Sequence, residues 1–133
     1  MRPHRLNAVI ALTLGLFALT AASAQAFETK PYDEASFKSA QSAGKPILVD
    51  VFAPWCPTCK AQHQVLETLK EKPEYADITV YQVAFDNQKA AVRGFNAQRQ
   101  STLIASKGDS ETARSVGGTS TADIEKLLQS TLQ

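Results

Sequence analysis

Residues Ile47-Leu48-Val49-Asp50-Val51-Phe52-Ala53 form a β-rich apolar run broken by one acid, and the run leads straight into Pro54-Trp55-Cys56-Pro57-Thr58-Cys59. A run that is apolar at odd and even positions alike suits a strand covered on both faces, as in a parallel sheet. The spacing then turns helical over Cys56 to Lys72, with Val65, Leu66 and Leu69 inward and Pro73 as the stop. The two cysteines of this 133-residue chain therefore stand at a strand-to-helix junction.

A lone C-x-x-C is a modest signal, but one at such a junction reads as a redox dithiol. A cysteine at a helix N-terminus faces unsatisfied backbone N–H groups and the positive end of the helix dipole, and both favour the reactive thiolate. A second thiol one turn later can attack a mixed disulfide made by the first. Cys56 is the expected exposed nucleophile and Cys59 the more buried, resolving thiol. Pro57 suits the first helical turn because its missing N–H would have no partner there. A static structural disulfide is the competing reading, and the tiny loop it would close constrains the unfolded chain little. Asp50 stands out because an acid inside an apolar strand is expensive to bury in its charged form.

The first 26 residues resemble a cleavable targeting segment. Arg2, His4 and Arg5 make a positive start, Ala8 to Ala22 is an apolar stretch, and Ala24-Gln25-Ala26 is a small-x-small cleavage signal before Phe27. The apolar stretch is short for a membrane span, which needs roughly 20 residues. Export would place both thiols in a disulfide-permissive compartment, and the expected location is the periplasm. Residues 27–133 then form one domain, in which 12 basic residues face 13 acidic ones. That balance gives no electrostatic case for nucleic acid or an anionic membrane surface, and a monomer is expected.

The remaining segments read as follows. Asp33 to Ala43 is a short helix capped by Asp33 and stopped by Gly44. Ile78 to Phe85 alternates as a second strand, and Asn87 to Phe95 is a weaker helix. Thr102 to Ser106 and Thr112 to Val116 flank Lys107-Gly108-Asp109, a hairpin turn signal, and Thr121 to Leu132 closes the chain as a helix. A β-α-β unit followed by a hairpin predicts an α/β fold, a mixed central sheet with helices on both faces.

The stretch from Lys45 to Lys60, and the order of elements around it, resembles the thioredoxin family. Val116-Gly117 resembles the glycine that borders that family's substrate groove. Secreted members, and the soluble C-terminal domain of the membrane thiol–disulfide interchange protein, share the approach Gly44-Lys45-Pro46-Ile47-Leu48-Val49-Asp50. The resemblance implies a thioredoxin fold over the whole of residues 27–133. It also implies that Asp50 lies beneath the dithiol and takes or relays the proton of Cys59, and that Trp55 shields the pair and meets partner proteins beside Pro57.

Three positions depart from the family pattern: Ser101, Gln82, and Gln64, which stands where a helix proline is usual, so a straighter active-site helix is expected. Ser101 replaces the cis-proline that faces the dithiol, and Gln100 inherits the backbone that pairs with substrate. A cis bond before a non-proline residue costs roughly 2.5–4 kcal/mol, so a trans or a strained cis Gln100–Ser101 bond is expected. The Ser101 N–H and hydroxyl are expected near the sulfurs. Gln82 stands where a lysine often pairs with the buried acid, so without that cation Asp50 is expected to be harder to ionise. His63 completes C-x-x-C-x-x-x-H, and Cys59 and His63 at i, i+4 can share a metal, although no fourth ligand is evident.

Two function classes follow. The first is an exported, cofactor-free thiol–disulfide oxidoreductase that reduces disulfides of periplasmic proteins and is recharged by a membrane thiol–disulfide reductase. The absence of a histidine between the cysteines favours a reductant over an oxidant. The second is a binding module in which the dithiol and His63 handle copper or zinc.

Overall fold

The computed structural model describes residues 25–133, so the leader reading of residues 1–26 falls almost wholly outside the described part. Among the described residues no helix is long and apolar enough to cross a membrane. The elements run β1 (Glu28–Pro31), α1 (Glu34–Ser42), β2 (Pro46–Phe52), α2 (Pro57–Lys70), a 3₁₀ turn (Pro73–Tyr75), β3 (Thr79–Ala84), α3 (Lys89–Gly94), β4 (Thr102–Lys107), β5 (Ser110–Val116) and α4 (Thr121–Ser130). Each element expected from the sequence is present within a few residues of its expected ends. β1 is an addition to that reading.

One five-stranded sheet has the order β1-β3-β2-β4-β5. β1 and β2 pair parallel with β3, while β4 pairs antiparallel with both β2 and β5. β2 is thus central, and Pro46 through Val51 are all buried, as an apolar run without alternation requires. Period-two geometry sorts its side chains between two cores. Leu48 packs with Leu66 and Leu69 of α2 and with Ile124, Leu127 and Leu128 of α4. Ile47, Val49 and Val51 pack on the other side with Phe37 of α1 and Val92 of α3. Asp50 shares the parity of Leu48 and so points to the α2 side of the sheet. In register beside it stand Gln82 on β3 and Leu103 on β4.

β2 therefore delivers the chain into the head of α2 from the middle of the sheet. The β4–β5 hairpin turns at Gly108, whose φ of 58° is left-handed and whose added Cβ would lie 3.1 Å from the Gln41 carbonyl oxygen. The hairpin brings the loop before β4 and the loop after β5 to the same end of the sheet, next to α2.

Candidate active site

Cys56 is the N-cap of α2, with extended backbone and Pro57 in the first turn. Its sulfur accepts the Cys59 N–H at 3.1 Å. That contact places an unpaired helical N–H, with the positive end of the helix dipole behind it, on the Cys56 sulfur. Cys56 and Cys59 are joined in a disulfide, with Cα atoms 5.3 Å apart.

The expectation of an exposed Cys56 does not hold in this oxidised form. Cys56 is 4% exposed and Cys59 1%, because the bridged sulfurs pack against Ala53 with Phe52 and Phe85 alongside. The two still differ in access. Cys56 lines an open cleft of about 210 Å³ with Phe52, Ala53, Pro54, Lys60 and His63, and Cys59 is not among its walls. Trp55 is 60% exposed beside the pair, its indole N–H donating to Asp86 Oδ2 at 2.8 Å. A much larger cleft, about 780 Å³, lies on the α1–α3 side and is lined by Tyr32, Phe37 and Phe95, with no residue of the dithiol site.

Asp50 is fully buried on the α2 side. Its Oδ2 meets His63 Nε2 at 2.7 Å and accepts from Gln82 Nε2 at 3.3 Å, while Oδ1 has no partner. Gln82, in the place of the family's lysine, only donates a hydrogen bond, and the ionisable partner of Asp50 comes from α2 instead. His63 lies one turn beyond Cys59, and helix periodicity turns both towards β2. The hydrogen bond to Asp50 raises the His63 pKa above its ordinary value, against the opposing effect of burial. The alternative metal set of the dithiol and His63 is not assembled in this oxidised form, with the two sulfurs bridged and His63 Nε2 turned to Asp50. Among the described residues no three of His, Cys, Asp and Glu come together around a common point.

Just before β4, Ser101 is buried with φ of 59°, a left-handed backbone that a non-glycine residue adopts at a cost. The Gln100–Ser101 bond is trans. The Ser101 hydroxyl donates to the Gln100 carbonyl at 2.5 Å, so it is committed to the backbone rather than held free for the sulfurs. The Ser101 carbonyl accepts from Gly117 N–H at 2.8 Å and from Gln62 Nε2 at 3.2 Å. The same Gln62 amide donates to the Gly118 carbonyl at 2.9 Å.

Gln62 is a residue the sequence reading passed over. It is fully buried and ties α2 to the loop before β4 and the loop after β5. Its signal was present: Cys59, Gln62, Leu66 and Leu69 form one inward stripe at helical spacing, in which Gln62 is the polar member. Asp86, which holds Trp55, lies in a loop with no such periodic signal.

The sequence matches the description of the Thioredoxin family over residues 28–130. It is 31% identical over 106 residues to thioredoxin of Alicyclobacillus acidocaldarius, covering 79% of this chain and 99% of that protein. The thiol:disulfide interchange protein DsbE of Tatumella citrea is 62% identical over 29 residues, a stretch covering 22% of this chain and 16% of that relative's length. Among solved structures, Trxlp from Edwardsiella tarda EIB202 superposes with a TM-score of 0.74 at 44% identity, over 76% of this chain and 98% of that one.

Proposed function

The chain belongs to the thioredoxin family, with a redox-active Cys56–Cys59 pair that makes it a thiol–disulfide oxidoreductase, and on that premise we propose that it is an exported reductant of protein disulfides. In the reduced protein, the Cys56 thiolate attacks one sulfur of a partner disulfide, and the partner's other sulfur leaves as a thiolate. Cys59 gives up its proton and attacks Cys56. The second partner sulfur then leaves, and the chain is left oxidised. Two electrons have passed from the dithiol to the partner, and both partner thiolates take up protons from water. The observation that carries this reading is Cys56 at the N-cap of α2, its sulfur on the Cys59 N–H and its side facing an open cleft.

In this reading Asp50 receives the proton of Cys59, and its burial on the α2 side supports the role. Exposed Trp55 and Pro57 supply one wall of the partner surface. Gln100 and Ser101 supply the backbone wall opposite. The Gln100 carbonyl is engaged by the Ser101 hydroxyl, so partner pairing there falls to the backbone that remains free. The basic-apolar-small leader of residues 1–26 supports export to the periplasm. There a membrane thiol–disulfide reductase would return the two electrons, since soluble nicotinamide-linked reductases are cytoplasmic. The dithiol itself needs no cofactor. The match to thiol:disulfide interchange proteins supports exchange with protein thiols as the task.

Insulin-disulfide reduction tests the reading. The reduced wild-type protein is expected to precipitate insulin chains and the Cys56→Ser variant to do so no faster than dithiothreitol alone. Equal rates for the two proteins would refute it.

A further inference from the structure

We infer that His63 is the proton conduit of the dithiol, passing protons between the sealed Asp50 carboxyl and the open cleft beside Cys56. The inference deepens the proposed reduction of protein disulfides and rests on it.

The problem His63 answers is one of access. Asp50 is fully buried, yet in each turnover it must accept a proton and then lose it. Its carboxyl is flanked in the sheet by Gln82 and Leu103, which cannot carry a proton at neutral pH. The ionisable group on it is His63, at 2.7 Å, whose side chain is 33% exposed and lines the cleft that Cys56 also lines. His63 makes this hydrogen bond through Nε2, so Nδ1 is the ring nitrogen available to the cleft. One end of the imidazole is thus on the buried acid and the ring reaches open water.

The groups facing His63 come from three directions. β2 presents Asp50 and the ring of Phe52, whose centroid is 5.7 Å away. β3 presents Gln82, behind the carboxylate. α2 itself presents Lys60 in the cleft, Glu67 one turn on and the dithiol one turn back. Asp50 and Glu67 favour the protonated ring, while burial opposes it. The contact thus favours a protonated ring, bound through Nε2 to the buried carboxyl. The Cys59 proton arrives at Asp50. The imidazolium then releases its Nδ1 proton to water, and the neutral ring changes tautomer by way of solvent, so that its remaining proton sits on Nδ1 and Nε2 is vacant. Nε2 takes the new proton from Asp50, which restores the starting pair, and one proton has moved from Cys59 to the cleft.

The test is single-turnover reduction of a disulfide peptide by the reduced protein, followed by Trp55 fluorescence from about pH 5 to pH 9. His63→Gln keeps a hydrogen bond to Asp50 but cannot titrate. It is expected to slow turnover by on the order of tenfold and to lose the inflection that wild type shows. His63→Ala is expected to be equally slow and to recover with added imidazole, a response that a purely structural role would not give. Wild-type pH profiles in both variants, with no response to imidazole, would overturn the inference while leaving the reductase reading intact. A wild-type protein that reduces no disulfide at any pH would instead overturn the reading on which the inference rests.

Discussion

At the scale of single residues, the contact between His63 and Asp50 ties the stability of the fold to pH. His63 gains its partner only on folding, so its folded pKa lies above the ordinary value of 6.5. Between the ordinary and the raised value the folded state binds more protons than the unfolded one, and stability falls as pH rises through that window. The contribution is whole below about pH 6.5 and gone above the folded pKa. With a third of the ring exposed, solvent screens the interaction and its size stays modest. His63 is the only histidine besides His4, so its proton NMR titration is readily assigned. The midpoint is expected above 6.5 in wild type and lower in Asp50→Asn, where burial is no longer offset by the carboxylate, and that variant should also lose the matching slope in urea stability. An unshifted midpoint in wild type would show that the contact does not form in solution. This pairing could not be read from the sequence. Asp50 and His63 each carried a signal, one an acid in an apolar run and the other a histidine at i+4 from Cys59. Joining them required the parity of β2 and the rotation of α2 together.

At the scale of elements, α2 acts as the post on which the site is hung, and Gln62 is the tie. Its single amide nitrogen serves the Ser101 carbonyl before β4 and the Gly118 carbonyl after β5. Ser101 is held in a left-handed backbone that a serine does not favour, and such a conformation persists only where the surroundings enforce it. Gln62→Met keeps the shape of the side chain and removes both bonds. The Gly118 carbonyl then loses the Gln62 amide, while the Ser101 carbonyl keeps the Gly117 N–H. A loss of about 1–3 kcal/mol in urea denaturation is expected, with faster amide exchange at Gly117 and Gly118. A denaturation midpoint equal to wild type would remove Gln62 from this role. Elements with a strong period were legible: β2 from its unbroken apolar run, α1 and α4 from caps that the structure keeps, Asp33 on Ser36 N–H and Ser120 on Asp123 N–H. β1 was not legible. It has four residues, all but one exposed, and ends in proline, which an edge strand tolerates because its missing N–H faces no neighbour. It is a strand because β3 offers a free parallel edge and Phe27, just ahead of it, is anchored in the α2–α4 core. Those are tertiary causes with no local signature.

At the scale of the whole molecule, the direction of electron flow is a question about which redox form folds better. The disulfide closes a loop of four residues, for which the chain-entropy account gives on the order of 2 kcal/mol of constraint on the unfolded state. Folding then adds its own preference. The bridged pair is packed against Ala53, Phe52 and Phe85, and the chain between the cysteines holds Pro57 and Thr58 with no cation to favour a free thiolate strongly. The unfolded dithiol and the folded dithiol are linked through one thermodynamic cycle. If folding favours the disulfide, the folded pair gives up electrons more readily than the unfolded one, and every 1.4 kcal/mol of that preference lowers the potential by about 30 mV. A strong oxidant shows the opposite, a reduced form that is the more stable. A reductant is therefore expected to unfold in urea at a higher concentration when oxidised than when reduced. The free-energy gap should match the difference between its measured potential and that of an unfolded dithiol peptide spanning Trp55 to Lys60. A reduced form that outlasts the oxidised one would reverse the assigned direction. The same dithiol would then make disulfides in its partners, with the site otherwise unchanged.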